Sequence, residues 1–480
     1  MPWGEAPVPV GPAQELVWVF IGLPVLAAAV MAAVVLALAV SFEVRSARRR
    51  RRHAPTLWQQ WPTVSIIVAA HNGGGLLADC IRSVQGSRYE RYELILVDAG
   101  STDDTPELMA GFAAEDGRIV FAGRSPAAAA GYGAALNLGL GRAAGEVLMF
   151  LPADAVLTRR TVDRMLQAFD AGSGGPDGVG AVWGGERTLT AGPAARIVDL
   201  IGRGCGGMAR RAQAASGFLP VFAAGMGAVR RDVLTEIGGF REDTGAAQLE
   251  LGWRVRSAGY RVGFAPRAVI TGQHPVCVGE LWRRRVARER SLLQCLGIHK
   301  SAVGDLRRRP MGDCLAAITV AAIILPAVRT AGVLALACLA PANLLSGTRP
   351  GAEPLPDIWA HPEAWGLGGA VVLAVSCAGA LALAVDGPIS NLRHLWALPA
   401  LPLYAVFSGF AVLAAIGAEL RAAGYSIVAK RALSSAVSCR RSSGVPISWP
   451  SMWFTGARSR MLEINQTASA SSRSLGSNGP

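Results

Sequence analysis

Three polar side chains stand at the ends of apolar, β-branched runs. Asn72 follows Val64 to Ala70 (VSIIVAA), Asp98 closes Glu93 to Val97 (ELILV), and Asp154 follows Glu146 to Leu151 (EVLMFL). A carboxylate at a strand end can simply cap the next helix. Three polar strand ends gathered on one rim point instead to a site, because open α/β sheets bind ligands beyond the carboxyl ends of their strands. The cysteines tell less. Cys80, Cys205, Cys277, Cys295, Cys314, Cys338, Cys377 and Cys439 form no Cys-x-x-Cys pair and have no histidine at ligand spacing. Neither a zinc site nor a disulfide framework is indicated, and reduced thiols fit best.

The elements that must carry the three polar residues are legible. Val64 to Ala70 reads as a strand buried on both faces. Leu76, Leu77, Cys80, Ile81 and Val84 then recur at helical spacing. After the second strand, Ser101 to Asp104 offers caps for a helix with Pro106 in its first turn. Arg118 to Ala122 (RIVFA) makes a third strand, a helix is expected around Ala134 to Ala144, and Glu146 to Leu151 makes a fourth strand. Strands recurring roughly every 25 to 30 residues, with helices between them, imply right-handed crossovers and a mainly parallel sheet. The fold class is α/β.

The chain has 480 residues, 51% of them hydrophobic and 17% charged, and 47 Lys plus Arg against 34 Asp plus Glu leaves +13. That length exceeds one ordinary domain, and the apolar content excludes a disordered chain. Lys300 and Lys430 are the only lysines among the cations, so the arginine abundance reads as codon bias. Leu16 to Val40 runs 25 residues without a charge, enough for one helix to cross about 30 Å of hydrocarbon. A leader without Lys or Arg, and so long an apolar run, favour an anchor over a cleaved signal. Arg45 and Arg48 to Arg52 follow directly, which places the next domain on the cytoplasmic side. Further spans are expected as a hairpin in Cys314 to Leu345, interrupted at Pro326, and at Trp365 to Val385 and Leu395 to Ile416. The expected organisation is an N-terminal transmembrane anchor (1–44), a basic linker (45–61), the α/β domain (62–300), about four transmembrane helices (301–420) and a basic, Ser-rich, mostly disordered cytoplasmic tail (421–480). The localisation implied is the plasma membrane, multi-pass.

The motifs of residues 62–296 resemble family 2 glycosyltransferases, the membrane-bound members in particular. VSIIVAAHNGG (Val64 to Gly74) is similar to the family's opening strand and turn, and LILVDAGSTDDT (Leu94 to Thr105) to its second strand. GYGAALNLGL (Gly131 to Leu140) and GEVLMFLPADA (Gly145 to Ala155) resemble the helix and strand that lead to a metal-binding Asp-x-Asp. GMGAVRRDVLTEIGGF (Gly225 to Phe240) resembles the acceptor side, and LELGWRVRSAGYRVGFAP (Leu249 to Pro266) the stretch after the catalytic acid. The resemblance implies a GT-A type fold, a nucleotide-diphospho-sugar donor, a Mg²⁺ or Mn²⁺ ion and inversion at the anomeric carbon. It implies donor contacts from Ala70, Asn72, Asp98, Gly100, Asn137 and Asp154, a metal ligand in Asp154, and an acceptor side at Gly225, Arg230 and Arg285.

The chain departs from the family pattern where chemistry is expected. Pro152-Ala153-Asp154 stands in place of Asp-x-Asp, leaving Asp154 as the one metal-side carboxylate. The catalytic Thr-Glu-Asp is replaced by Ala246-Ala247-Gln248, so the base position holds Gln248. Glu250 and Asp243 are the nearby acids, although two residues along a helix turn Glu250 to another face. Leu281 to Gln294 (LWRRRVARERSLLQ) occupies the place of Gln-x-x-Arg-Trp but restores both Gln and Trp in neither register, which disfavours processive polymer synthesis. With five arginines among Arg283 to Arg290 it also suits an interfacial helix on anionic lipid. The leading expectation is a membrane-bound, non-processive glycosyltransferase with a lipid or cell-envelope acceptor. The alternative is a catalytically impaired scaffold for a partner transferase. Nucleic-acid binding is disfavoured, since the arginine clusters adjoin apolar spans without stacking aromatics.

Overall fold

The computed structural model describes residues 23–52, 61–125, 131–169, 178–188, 198–199, 206–216, 225–272, 277–302, 315, 319–328, 330–331, 334 and 403–422. At the middle of the sheet lies β1 (Val64–Ala70), all seven residues buried. It pairs in parallel with β2 (Tyr92–Asp98) on one side and β4 (Val147–Pro152) on the other, and β2 pairs in parallel with β3 (Ile119–Arg124). Side chains alternate across a strand, and here the alternation sorts two layers. Ile66 and Val68 pack with Leu77, Cys80 and Ile81 of α2 (Gly74–Gln85) and Met109 of α3 (Thr105–Glu115). Ile67 and Ala69 pack with Ala135 and Leu136 of α4 (Gly131–Leu140). The three crossovers therefore cover both faces, which is why β1 reads as a continuous apolar run.

Beyond β4 the sheet becomes mixed, with the order β3-β2-β1-β4-β7-β6-β8-β5. Here β7 (Gly227–Arg230) runs antiparallel to both β4 and β6 (Val179–Thr188), β6 runs parallel to β8 (Arg261–Gly272), and β5 (Val156–Leu157) is antiparallel to β8. The expected mainly parallel sheet is thus corrected to a mixed one, in which β3-β2-β1-β4 and the β6-β8 pair are parallel and β7 and β5 run antiparallel to their neighbours. The reversal comes from β7, a four-residue strand too short to show a period. Phe150 fixes that junction: a side chain at Gly227 would lie 2.2 Å from its ring.

Helices frame the sheet, among them the short α5 (Thr161–Leu166), whose Thr161 Oγ1 donates to the Val269 carbonyl of β8 at 3.0 Å. α1 (Leu23–Arg52) continues unbroken from the N-terminal apolar run through the arginine cluster. Its later part rests on the domain: Ala39 packs on Met208 of α6 (Gly207–Ser216), and Glu43 pairs with Arg211 at 2.8 Å. α9 (Val278–Ile298) meets α10 (Leu403–Ala422), where Arg290 pairs with Glu419 at 2.9 Å and the Trp282 ring packs edge-on to Phe407. Among the described residues α10 is the one helix that is long and apolar enough to cross a membrane. The expected span Trp365 to Val385 lies outside the described residues, as do residues 16–22 and most of the expected hairpin between Cys314 and Leu345.

Candidate active site

The turns after β1 and β2 are tied into one knot. Asn72 has a positive φ of 52°, a conformation asparagine tolerates better than branched residues. Its backbone N–H donates to Ser101 Oγ at 2.9 Å, and its Oδ1 accepts from the Thr102 N–H at 2.8 Å. The Ala70 carbonyl accepts from Ala99 N–H at 2.8 Å, and Gly100 turns the chain at φ 89°. Asp98 is fully buried. Its Oδ1 accepts from Ser101 N–H at 2.8 Å and its Oδ2 from Arg124 Nε at 2.6 Å. Burial pushes the carboxyl up, but the hydrogen bonds from Arg124 and Ser101 outweigh it and hold Asp98 below its ordinary value. Ala70, Asn72, Asp98 and Gly100 thus come together at the rim, and the group presented outward is Arg124, whose side chain is 58% exposed. Arg124 was not among the expected site residues because the third strand was ended at Ala122. It runs two residues further, and the strand-end argument that found Asp98 would have found Arg124.

At Ala69 the rim opens into a cavity of about 600 Å³, within the range of small-molecule sites. Ala69, Pro152 and Ala153 form its sheet wall; Tyr132 stands at the start of α4; Gly245 to Leu249 bring in the first turn of α8 (Ala247–Ser257). The far wall is α9, with Arg285, Arg288 and Glu289, and Ala322, Pro326 and Ser408 close it. Gln248 is hydrogen-bonded to Tyr132, whose hydroxyl is pushed up to about 12, first by burial and then by the negative charge of Asp154. Tyr132, Gln248 and the half-buried Asp154 are therefore neighbours, and Tyr132 stays protonated at neutral pH. Gly225, at φ 76°, also lines the cavity, with Glu186 beside it. Arg285 pairs with Glu289 at 2.9 Å, donates to Ser408 Oγ and lies 5.6 Å from the centroid of the Tyr404 ring.

Four expected residues are turned to other tasks. Glu250 is fully buried on the inner face of α8, where Arg254 Nε reaches both of its oxygens at 2.8 Å and His299 lies 3.4 Å away. The helical spacing that brings Gln248 to the cavity carries Glu250 away from it. Asp243 is half exposed and paired with Arg241 at 2.6 Å. Asn137 spends its amide on the neighbouring loop, donating to Phe240 O and Glu242 Oε1 at 2.8 Å and accepting from Phe240 N–H at 2.7 Å. Arg230 pairs with Asp232, and the antiparallel register sets it opposite Val147, at the start of β4 and the edge of the sheet away from the cavity. Tyr132 was missed because nothing local in the sequence marks it, whereas Arg288 lies in the stretch set against Gln-x-x-Arg-Trp; tertiary packing brings both to the cavity, and Glu186 stands beside Gly225 at its edge.

Residues 65–238 match the model of the family described as Glycosyl transferase family 2. The α/β domain belongs to that family. The curated relatives include the poly-beta-1,6-N-acetyl-D-glucosamine synthases of Staphylococcus aureus strain MSSA476, 23% identical over 224 residues, and of Staphylococcus epidermidis strain ATCC 35984, 25% identical over 230 residues. These matches cover 46% and 48% of this chain, and 53% and 54% of the relatives. The chain spans about half the length of the curated relatives it matches. Among solved structures, a mannosyltransferase from Pyrobaculum calidifontis in complex with GDP-Man and Mn²⁺ superposes with a TM-score of 0.52 at 22% identity, covering 77% of this chain and 99% of that one. That likeness is one of fold, and it identifies the family 2 domain here as GT-A type.

The donor set for a divalent cation can be tested on the rim. Where an Asp-x-Asp would supply two carboxylates, the family 2 domain has Pro152 and Asp154. Asp98 is committed to Arg124 and Ser101. Among the described residues no group of three His, Cys, Asp or Glu side chains could hold a metal ion. One carboxylate is a thin donor set for an octahedral cation, so the residues present do not fit the ion.

Proposed function

We propose that this chain is a membrane-bound glycosyltransferase that moves a sugar from a nucleotide-diphospho-sugar to a lipid or cell-envelope acceptor, without processive elongation. The observation that carries the reading is the cavity of about 600 Å³ at the carboxyl end of the parallel strands, one residue from the knot around Asp98. A nucleotide-sugar fits the arrangement with its nucleoside towards Asn72 and Arg124 and its diphospho-sugar in the cavity. In the step proposed, the acceptor oxygen bonds to the anomeric carbon from the side opposite the leaving group. The bond from that carbon to the diphosphate oxygen breaks, the nucleoside diphosphate leaves with the electron pair, and the configuration inverts. Gln248 can orient the attacking hydroxyl by hydrogen bonding, but an amide cannot take its proton. The proton passes to water, and turnover is slow. No step is routed through Mg²⁺ or Mn²⁺, since Asp154 alone would meet it.

Membrane attachment is supported by α10 and by α1, whose Val30, Val34, Val40 and Val44 are exposed. The arginines at 45 and 48–52 support a cytoplasmic α/β domain, in a multi-pass protein of the plasma membrane. Calorimetry on the full chain in detergent, titrating UDP- and GDP-sugars, tests the donor site. Binding of one of them, followed by slow sugar transfer to membrane lipids, is expected. No affinity for any nucleotide would overturn the reading, and binding with no transfer at all would favour a scaffold for a partner transferase.

A further inference from the structure

The cavity has lost an acid on one wall and carries two cations on the other. On the sheet wall, Pro152 and Ala153 face the cavity and Asp154 is the single carboxylate of that turn. On the α9 wall, Arg285 and Arg288 lie three residues apart, a spacing that sets both on one helix face. Their partners do not use them up. Arg285 gives Nη2 to Glu289 and Ser408, yet its Nε is buried with no hydrogen-bond partner. Arg288 makes no hydrogen bond or ion pair with the described residues, and its guanidinium is exposed to the cavity. Two guanidinium groups held side by side with an unused donor call for an anion with more than one acceptor oxygen, which planar forks grip in pairs.

We propose that Arg285 and Arg288 hold the donor's diphosphate from α9, in the place where a divalent cation would otherwise neutralise it. The inference rests on the glycosyltransferase reading above and reassigns Arg285 from the acceptor side to the leaving group. The two positive charges match the two carried by the bound diphosphate, and they stay in position as charge builds on the departing nucleoside diphosphate. The same replacement explains how the rim can dispense with one aspartate: the countercharge comes from the opposite wall.

The test is calorimetry on the full chain in detergent with UDP and GDP as probes, first with EDTA and then with Mn²⁺. One of the two is expected to bind in EDTA, with less than about a threefold gain on adding Mn²⁺. Arg288→Gln should weaken binding by about 10-fold to 100-fold, the loss of charge-assisted hydrogen bonds, with an unchanged melting temperature because Arg288 supports no other described residue. Arg288→Lys should recover part of the loss, and Arg284→Gln, on an exposed side chain paired with Glu280, should bind as the parent does. Pro152→Asp, which recreates two carboxylates, should make binding respond to Mn²⁺. Nucleotide binding that requires Mn²⁺ in the parent chain, or that survives Arg288→Gln intact, would overturn the inference and leave the glycosyltransferase reading standing. No binding of either nucleotide under any condition would overturn both.

Discussion

Gln248 and Tyr132 meet on the cavity wall, where the proposed reaction has the acceptor hydroxyl lose its proton. Neither can take it: the amide has no basic pair, and Tyr132 is held near 12 by burial and by Asp154. A carboxylate at residue 248 would stand in the same first turn of α8 and lack nothing in position. Gln248→Asp is therefore expected to raise the rate of sugar transfer by roughly tenfold or more, inside the span general bases contribute, with donor affinity little changed; equal or lower turnover in a well-folded variant would show that 248 is not the base position. Asp98 makes a different kind of prediction. Its folded pKa is lowered, so its stabilisation is present above the unfolded carboxylate value of about 3.9 and is lost as the pH falls through the lower folded value. Asp98→Ala leaves the Ser101 N–H without its acceptor, at a cost of about 1–3 kcal/mol near neutrality. The exposed Arg124 end of the pair is screened and adds little. Melting curves of parent and variant should differ at pH 7 and converge as the pH drops below about 4; a gap that widens in acid would contradict the assignment.

Between β4 and the cavity, position is set by how α4 and α8 grip the loop that joins α7 (Arg231–Ile237) to α8. The guanidinium of Arg254 donates to the carbonyls of Ile237, Gly238 and Gly239 at 2.6–2.8 Å while it neutralises Glu250. From the other side α4 comes so close that a side chain at Gly133 would lie 2.1 Å from the Arg241 carbonyl oxygen. One turn on, Asn137 clasps Phe240. Gly133→Ala therefore forces backbone to move and should destabilise by about 1–3 kcal/mol. Arg254→Leu leaves a buried carboxylate without its cation and should cost about 3–5 kcal/mol. Chemical denaturation in detergent checks both, and the reverse ranking would mean that the loop is held chiefly by α4. The same elements show what the sequence could and could not reveal. β1 was legible to the residue, since six apolar side chains and Ser65, all buried, leave one reading. β6 and β8 were not: β6 holds three glycines, and β8 contains Pro266, which local rules treat as a breaker. The sheet accommodates it with a register jump, Gly184 opposite Ala265 but Gly185 opposite Val269. Strand ends located Asn72, Asp98 and Asp154, whereas the α9 wall depends on contacts made between residues far apart in the chain.

α9 joins the family 2 domain to α10 through polar groups as well as packing. Glu419 on α10 accepts from Arg290 at 2.9 Å and from Gln294 at 3.1 Å, and Gln294 in turn faces Thr244 and Gly245 ahead of α8. A helix apolar enough to span a bilayer is thus fastened to the loop that lines the cavity; if α10 spans a membrane as proposed, the domain lies close against it on the side where α10 ends. In the topology proposed from the arginines at 45 and 48–52 that side is the cytoplasm, where nucleotide-sugars would reach the rim. Cys277, at the N-cap of α9, is an exposed thiol suited to reporting the side. Cys80 and Cys295 are buried, with thiols pushed up to about 12 by desolvation, so neither competes for a thiolate-directed reagent. In a variant that keeps Cys277 and carries serine at the cysteines outside the described residues, a membrane-impermeant maleimide should leave the protein unlabelled in intact cells. Once the membrane is permeabilised, labelling of Cys277 should follow. Labelling in intact cells would put the cavity outside, away from cytoplasmic donors, and would overturn the topology proposed from the arginine clusters.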